Sequence, residues 1–277
     1  DVDTYWGMKN GVPMLLKILK DFGLKGTFFL SIGPDNSGRA VLQLIKNPLF
    51  LKKMLRTRAA SLYGWRTSLY GTLLPAPMIA MSFPELVQSI MREGHEVQFH
   101  AWDHRRWQDE LPKKSKQWIE DWFEKGIAGF EKLTGRIPSA FGAPSWLIDD
   151  RVIEIVRKYH FDYLSCTRAP SPFIHRNVDL IEIPSDLPCF EELDPEDGKR
   201  EISGLMKDGK NHVLPVHAEV EGGLFAEKFQ QLLRDAISSG IQITTLHDLK
   251  MSLEGQSWPT RSYRMALLPG RHSPCAV

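Results

Sequence analysis

Short apolar runs alternate with longer amphipathic stretches along most of this chain. The short runs predict strands over 27–32, 96–100, 139–143, 161–166, 180–183, 212–217 and 241–245. Apolar residues that recur every three to four positions predict helices over 7–22, 114–133, 149–159, 196–207 and 225–239. This regular alternation predicts an α/β fold with a mostly parallel sheet, either open or closed into a barrel.

Start and stop signals mark several of these boundaries. Gly23 and Gly135 each follow a predicted helix, where glycine is a common helix terminator. A further helix should end at Gly94 and begin at Ser82-Phe-Pro-Glu85, which has the form of a capping box with proline in the first turn. We recognise no interdomain linker, so we expect one barrel domain over 1–254 and a basic tail over 255–277.

Composition limits the partners and the compartment that we expect for this protein. With 35 Lys and Arg against 34 Asp and Glu, the net charge of +1 does not favour nucleic acid as a partner. The three cysteines (Cys166, Cys189 and Cys275) are odd in number and far apart, which argues against a disulfide framework and for a reducing compartment. We recognise no signal peptide and no apolar run of bilayer-spanning length. Asp1 begins inside a motif, so we expect a strand to precede it.

The segment His100-Ala-Trp-Asp-His104 places two imidazoles four residues apart. In a turn of helix, both rings would lie on one face and could reach a single metal ion. Two imidazoles are half of a metal site, and a catalytic site usually adds a carboxylate and leaves one position open. Histidine pairs at this spacing also arise by chance, so a capping or surface pair remains an alternative from this motif alone.

Polar residues recur at the carboxyl ends of predicted strands, where barrels of this kind collect their chemistry. His100 ends one strand, and Asp1 and Asp3 would end the strand expected before them. In extended backbone, Asp1 and Asp3 point to the same face. One carboxylate could then bind a metal while the other acts as a base. A polar loop is the simpler alternative for this pair.

His217 ends another predicted strand, in the segment Val216-His-Ala-Glu-Val-Glu221. A histidine in this place suits a general acid, and Glu219 and Glu221 are candidates to hold its ring. A buried histidine with satisfied hydrogen bonds is the alternative.

Several longer motifs resemble one family. The segment 23–33, Gly-Leu-Lys-Gly-Thr-Phe-Phe-Leu-Ser-Ile-Gly, resembles the second strand of the polysaccharide deacetylase (NodB-homology) family. The resemblance covers nearly the whole chain and is closest to the 4-deoxy-4-formamido-L-arabinose-phosphoundecaprenol deformylase branch. The matching motifs are Asp1-Val-Asp-Thr4, Gly33-Pro-Asp-Asn36, Ala59-Ala-Ser-Leu-Tyr-Gly-Trp65, His100-Ala-Trp-Asp-His104 and His217-Ala-Glu-Val-Glu-Gly222.

This resemblance implies a deformed (β/α) barrel of about seven strands. It implies one divalent metal held by Asp3, His100 and His104, with Asp1 as the base and His217 as the acid that protonates the departing amine. Zn²⁺, Co²⁺ and Mn²⁺ are the candidate ions, and Fe²⁺ is also compatible with two imidazoles and a carboxylate.

Two motifs depart from the wider family. Its Arg-x-Pro-x-Gly motif corresponds here to Gly142-Ala-Pro-Ser-Trp146, which lacks the arginine, as the deformylase branch also does. The aspartate that the family brings to the acid histidine corresponds to Cys166, which puts the tuning of His217 in doubt. Trp146 and Arg168 are candidate substrate-binding residues, Arg168 through a substrate phosphate. A structural salt bridge is the alternative for Arg168.

A long insertion over about 36–80 combines basic and apolar residues. No acidic residue occurs between Asn36 and Pro84. The segment contains seven basic residues: Arg39, Lys46, Lys52, Lys53, Arg56, Arg58 and Arg66. Helices of this composition bind anionic membrane interfaces, although an ordinary packed helix with a solvated basic face remains an alternative.

Together these features predict a hydrolase of a linear amide bond. The expected reaction is metal-dependent removal of the N-formyl group from undecaprenyl-phosphate-linked 4-deoxy-4-formamido-L-arabinose, in lipid A modification and polymyxin resistance. We expect peripheral attachment to the cytoplasmic face of the bacterial inner membrane, with an anionic membrane surface and a polyprenyl-phosphate-linked amino sugar as partners. The alternatives are an N-deacetylase of another amino sugar or polysaccharide, and a non-catalytic protein that binds lipid-linked sugar.

Overall fold

The computed structural model describes residues 1–40, 67–176, 178–193 and 198–277. Its strands are β1 (Thr27–Ser31), β2 (Glu96–Ala101), β3 (Ala140–Gly142), β4 (Tyr163–Ser165), β5 (Phe173–His175), β6 (Ile181–Glu182), β7 (Thr260–Arg261), β8 (Met265–Ala266) and β9 (Cys275–Ala276). Its α-helices are α1 (Val12–Asp21), α2 (Pro84–Arg92), α3 (His104–Glu110), α4 (Lys116–Thr134), α5 (Asp150–Val156), α6 (Gly198–Leu205), α7 (Ala226–Ser238) and α8 (Leu246–Ser252).

Strands β1 to β7 form one sheet in the order β1-β2-β3-β4-β6-β5-β7 within the described ranges. The pairs from β1 through β4, and the pair of β4 with β6, are parallel. Strand β5 pairs antiparallel with β6 and parallel with β7. The mostly parallel α/β sheet predicted from the alternating pattern is therefore confirmed.

The first three residues extend the sheet beyond β1. Val2 forms a parallel bridge with Leu30. On the other side, the main-chain nitrogen of Asp1 donates to the Val216 carbonyl at 2.6 Å, and the Ala218 nitrogen donates to the Asp1 carbonyl at 2.9 Å. Asp1, Val2 and the segment around Ala218 therefore lie side by side in one wall.

The segment 212–217 lies between this wall and the chain that follows β6. The Leu187 nitrogen donates to the Val213 carbonyl at 3.2 Å, and the Val213 nitrogen donates to the Asp186 carboxylate at 2.7 Å. These bonds join the last and first parts of the wall, so the sheet closes into a deformed barrel. The segment predicted as a strand over 212–217 forms no strand of the described sheet and is bonded to its neighbours at only a few positions.

His212 forms two ion pairs where the barrel closes. Its Nδ1 lies 2.6 Å from Asp186 and its Nε2 lies 2.7 Å from Asp208. Partial burial lowers the pKa of His212, but the two carboxylates outweigh that effect and leave the pKa raised.

An aromatic cluster behind the sheet fixes α3 and α4. The rings of Trp107 on α3 and Trp122 on α4 lie 4.3 Å apart and pack on Phe99 and Phe141. Gly126 allows α4 to approach, because a Cβ there would lie 2.3 Å from the Phe99 ring. This packing holds α3, whose first residue is His104, against the end of β2.

Several helix boundaries follow the predicted signals. Helix α1 ends before Gly23, and α4 ends at Gly135, whose φ of 74° is the left-handed conformation that glycine favours. The predicted capping box at Ser82 is wrong. Helix α2 begins at Pro84 after Phe83, which makes no side-chain capping bond. A proline at the first helical position, which has no N–H to satisfy, starts the helix without that cap.

Several regions of the sheet differ from prediction, and one of them is β7 (Thr260–Arg261), which was not predicted. The strand predicted over 241–245 is wrong, because these residues lead into α8 and the Thr245 hydroxyl accepts from the Asp248 nitrogen. Strand β5, three residues long, was not predicted. A run so short carries too little periodicity to be recognised.

The basic tail packs on the barrel. Cys275 and Ala276 in β9 are fully buried, and the Arg168 nitrogen donates to the Ala276 carbonyl at 2.8 Å. All three cysteines are free and buried.

Most of the predicted insertion lies outside the described residues. Residues 41–66, with six of the seven basic positions and the Ala59–Trp65 motif, are not described. Within its described part the chain forms 3₁₀ turns at Thr67–Leu69 and Ala80–Ser82. No helix among the described residues is long and apolar enough to cross a bilayer.

Candidate active site

The two histidines of the HxxxH motif come from different elements. His100 lies in β2, as predicted for the strand over 96–100, and His104 is the first residue of α3, so the two histidines do not share one helical turn. Asp103 caps α3 by accepting from the Arg106 nitrogen at 3.0 Å, and its other oxygen accepts from the Asn36 amide at 2.7 Å. The turn between strand and helix therefore brings both rings together, with centroids 5.1 Å apart.

Asp3 completes a three-residue cluster with these histidines. Its Oδ1 lies 3.2 Å from His100 Nε2, and its Oδ2 lies 3.1 Å from His104 Nε2. His100 Nδ1 lies 2.8 Å from the Gly142 carbonyl, which can only accept, so Nδ1 carries the proton and Nε2 presents a lone pair. Both Asp3 Oδ1 and His100 Nε2 are buried without a hydrogen-bond partner among the described residues. A lone pair facing a carboxylate oxygen indicates a place for a cation.

The ionisation of these residues also suits a metal. Burial would raise the pKa of Asp3, but interaction of its anion with the His104 and His100 rings holds it well below its usual range. Burial lowers the pKa of His104 to about 3 against the opposing charge of Asp3. An anionic carboxylate and neutral imidazoles are the forms that bind metals. The donor atoms lie within 4.8 Å of one another, so these residues fit a divalent ion.

Glu219 fixes the backbone that carries Asp3. Its Oε1 accepts from the Asp3 nitrogen at 3.0 Å, the Thr4 nitrogen at 2.6 Å and the Thr4 hydroxyl at 2.6 Å. Gly7 makes room for it, because a Cβ there would lie 2.2 Å from Oε1. Burial and the nearby charge of Asp3 raise the pKa of Glu219 to about 7. Glu219 therefore supports the metal cluster and not the ring of His217, contrary to the sequence-based expectation.

Asp1 lies on the same face as Asp3. Val2 between them is buried, whereas both aspartates are partly exposed, as expected for alternating residues of an extended segment.

His217 is held by a residue that sequence reasoning did not identify. Its Nδ1 lies 2.9 Å from Glu191 Oε1. Glu221, the other expected partner, accepts instead from the His217 backbone nitrogen at 2.7 Å. Burial lowers the pKa of His217, but Glu191, Asp3 and Glu221 together raise it to about 10. These carboxylates therefore favour the protonated form of the ring.

Comparison with known proteins places this geometry in a family. Residues 2–164 match the model of the polysaccharide deacetylase family. The chain belongs to the polysaccharide deacetylase family. Two curated relatives are named as probable 4-deoxy-4-formamido-L-arabinose-phosphoundecaprenol deformylases, ArnD. The protein from Shewanella sediminis is 35% identical over 265 residues, covering 94% of this chain and 86% of its own. The protein from Wigglesworthia glossinidia brevipalpis is 30% identical over 276 residues, covering 96% of each.

A crystal structure from Mycobacterium smegmatis, named as a candidate polysaccharide deacetylase, has the same fold. It aligns with a TM-score of 0.63 at 18% identity, covering 95% of this chain and 83% of its own. The family assignment confirms the resemblance, and the fold likeness agrees with the predicted barrel. As a member of the polysaccharide deacetylase family, this protein is a carbohydrate-modifying deacylase, an enzyme that hydrolyses an amide bond.

In this deacetylase family member, Trp146 lies beside His217. Its ring meets the His217 ring edge-on at 6.3 Å. The guanidinium groups of Arg168 and Arg271 lie 4.6 and 4.9 Å from the Trp146 ring centre. Trp146 and Ser145 both have positive φ, 53° and 54°, which is strained for residues other than glycine.

The two arginines that pack on the Trp146 ring both bind the Glu192 carboxylate. Arg168 donates to both oxygens of Glu192 at 2.8 and 3.0 Å and to the Leu187 carbonyl at 2.9 Å. Arg271 donates to the same carboxylate at 2.9 Å. Arg168 is thus buried in a salt bridge, the alternative left open by the sequence, and its predicted contact with a substrate phosphate stays a prediction.

Cys166 replaces the aspartate expected from the wider deacetylase family. Its thiol donates to the Phe141 carbonyl at 3.3 Å, and its backbone nitrogen donates to Glu182 at 2.6 Å. Burial and the neighbouring Glu182 raise the pKa of the thiol well above its usual value. Position 166 therefore supplies a neutral thiol to the core and no charge to His217.

Proposed function

We propose that this deacetylase family member is a metal-dependent deformylase. Its substrate would be 4-deoxy-4-formamido-L-arabinose linked to undecaprenyl phosphate. The observation that carries the chemistry is the cluster of Asp3, His100 and His104, with the His217–Glu191 pair on the segment that is hydrogen-bonded to Asp1. The substrate assignment is supported by two relatives that bear this activity in their names and align over most of their length.

Asp3, His100 and His104 would hold one divalent ion, with Zn²⁺, Co²⁺ and Mn²⁺ as candidates. When bound, such an ion polarises the amide carbonyl and lowers the pKa of water from 15.7 to about 7. Asp1 would take the proton from the attacking water. His217 would deliver a proton to the sugar nitrogen as the C–N bond breaks, because an amine leaves poorly as an anion. A general acid or base of this kind contributes about 10²–10⁴-fold to the rate.

The proposed substrate suggests where the enzyme works. A polyprenyl-linked sugar is anchored in a membrane, and the basic insertion would hold the enzyme at the cytoplasmic face of the bacterial inner membrane. Each basic residue near an anionic surface contributes about 1 kcal/mol. Of the seven basic residues of the insertion, Arg39 is the one that lies among the described residues, and it is paired with Glu110 at 2.8 Å. We place the reaction in lipid A modification, with resistance to cationic peptides such as polymyxin as the consequence.

A second candidate keeps the same chemistry on another amide. The family model is described by deacetylation, which favours an N-deacetylase of another amino sugar or polysaccharide. The third candidate, a non-catalytic binding protein, rested on Cys166. The carboxylate of Glu191 beside His217 weakens that argument, because the acid histidine does not lack a charged partner.

The test is release of formate from a synthetic polyprenyl-phosphate 4-formamido-arabinose, with the 4-acetamido analogue as the matched substrate. We expect formate release that a chelator abolishes and added Zn²⁺, Co²⁺ or Mn²⁺ restores. Acetate release at a higher kcat/KM than formate would favour the deacetylase. Release of neither product from metal-loaded protein would refute both hydrolytic proposals and favour the binding protein.

A further inference from the structure

A general acid needs one nitrogen for the substrate and a fixed partner for the other. The partner sets the tautomer of the ring and its orientation. In this chain, the position where the family resemblance expects an aspartate is Cys166, and its thiol donates to the Phe141 carbonyl instead. The nearby carboxylate of Glu182 is also engaged, because it accepts from the nitrogens of Cys166 and Thr167.

Glu191 is the carboxylate that reaches the His217 ring. Its Oε1 lies 2.9 Å from Nδ1, and the two side chains are 32% and 14% exposed, so water screens the pair only in part. The contact is an ion pair by distance, and Nδ1 has no hydrogen-bond partner among the described residues. Since Nδ1 faces Glu191, Nε2 is the nitrogen left for a substrate. Glu221 does not compete for the ring, because it binds the His217 backbone nitrogen.

The turn that carries Glu191 is firmly held. Glu191 lies in the 3₁₀ turn Phe190–Glu192. The next residue, Glu192, accepts from the Cys189 nitrogen at 3.1 Å and binds the guanidinium groups of Arg168 and Arg271. A carboxylate on an anchored turn can fix a ring more precisely than one on a free loop, since less conformational entropy is lost when the pair forms.

We propose that Glu191 is the positioning residue for His217, in the place of the aspartate that position 166 lacks. This inference rests on the proposed function, in which His217 protonates the leaving amine. The carboxylate has moved from the end of β4 to the 190–192 turn, and the acid histidine keeps an anionic partner on Nδ1.

The test compares Glu191→Gln and Glu191→Asp with the wild type and with a control, Glu154→Gln, which removes an exposed carboxylate paired with Lys116. Activity on the formamido sugar is followed from pH 6 to 10.5 in metal-loaded enzyme. For Glu191→Gln we expect kcat to fall about 10²-fold with KM within threefold, because the loss is in proton delivery. The alkaline limb of kcat/KM should move down by at least one pH unit. Glu191→Asp should keep the wild-type limb position within half a unit, and Glu154→Gln should match the wild type.

A second readout does not need turnover. In protein labelled with ¹⁵N-histidine, the His217 signal is assigned by its loss in His217→Asn and titrated in the zinc-bound wild type and in Glu191→Gln. We expect the apparent pKa of the ring to fall by at least one unit in Glu191→Gln. If the wild type releases no acyl group, the proposed function fails while this titration still tests the Glu191 contact.

Three outcomes would overturn the inference. The first is an unchanged alkaline limb and an unchanged ring titration in folded Glu191→Gln. The second is an equal loss of activity at every pH with no change in the titration, which is the behaviour of a purely structural residue. The third is binding of two equivalents of Zn²⁺, one of them lost in Cys189→Ser, because Cys189, Glu191 and His217 would then form a second metal site.

Discussion

Replacing Arg168 with methionine separates a structural role from a substrate-binding role. The guanidinium is 4% exposed, donates to both oxygens of Glu192 and to the Leu187 carbonyl, and covers the Trp146 ring. Methionine has similar length and removes the charge while it preserves much of the apolar contact. The change therefore leaves Glu192 with Arg271 as its remaining guanidinium partner and leaves the Leu187 carbonyl without its side-chain donor.

The expected cost follows from burial. Breaking a buried ion pair from one side costs about 3–5 kcal/mol, because the remaining charge is left uncompensated. Arg271 still donates to Glu192 at 2.9 Å, so we expect the lower end, a loss of about 3 kcal/mol in the free energy of unfolding. The strained φ values of Ser145 and Trp146 should also relax once one of the two arginines on the Trp146 ring is gone.

Urea unfolding of the metal-loaded protein measures this loss. The matched control is Arg92→Met on the exposed face of α2, which should change stability by less than about 0.5 kcal/mol. KM is compared for the polyprenyl-phosphate substrate and for a formamido sugar without phosphate. The structural role predicts lower stability and similar effects on both substrates. A stability loss below about 1 kcal/mol, with KM raised at least tenfold for the phosphate substrate alone, would refute this reasoning and support phosphate binding.

Three other changes have definite expected outcomes. Zn²⁺ at 100 times its Kd should stabilise the wild type by about 2.7 kcal/mol in thermal melts. The variant His104→Asn should lose that gain in stability. An equal gain in the variant would exclude His104 as a ligand. Gly11→Ala should lower the free energy of unfolding by about 1–3 kcal/mol or more, because its Cβ would lie 1.9 Å from the Ala218 carbonyl oxygen, whereas Gly204→Ala meets open space and should not destabilise. The raised pKa of His212 means that its charged form stabilises the fold, so wild type should exceed His212→Gln most below about pH 6 and lose that advantage as pH rises through the raised pKa. An advantage that grows with pH in the urea series would contradict this assignment.

The sequence predicted the elements in which period and boundary signals agree. Helix α4 has an apolar face, a serine cap at Ser115 and a glycine stop at Gly135, and it was found within two residues of its predicted ends. The segment Ser82-Phe-Pro-Glu85 has the sequence of a capping box but does not form one, because α2 begins at Pro84. Strand β5 was missed because its three residues show no period, and because one of its two partners, β7, is remote in sequence.

The site residues also fall into two groups, those in recognisable motifs and those whose contacts are remote in sequence. Asp3, His100 and His104 were grouped by the family resemblance, and the expected position of their motifs after strands agreed with it, because the ends of parallel strands meet at one edge of a sheet. Glu191 was missed because its role depends on a turn that meets His217 across 26 residues of chain. Arg271 was missed for the same reason, since its carboxylate partner lies 79 positions away. Local spacing holds no information about such contacts.

Both halves of the site meet where the barrel closes. Asp3 lies on the first segment of the wall, and His217 lies on the segment hydrogen-bonded beside it. Glu219 is the carboxylate that joins the two, because it follows His217 and binds the Asp3 and Thr4 backbone. The proposed metal ligand and the proposed proton donor are therefore both positioned by the segments that close the barrel.

Replacing Glu219 tests this coupling. Glu219→Ala leaves three donors at Asp3 and Thr4 without their acceptor, and each buried unsatisfied group costs about 1–3 kcal/mol. Because the freed backbone carries Asp3, we expect weaker zinc binding together with lower stability, measured by competition with a chromogenic chelator and by urea unfolding. Glu219→Gln keeps an acceptor oxygen and should retain most of both. Wild-type zinc affinity in a destabilised Glu219→Ala would show that the closure supports the fold alone and does not position the metal ligand.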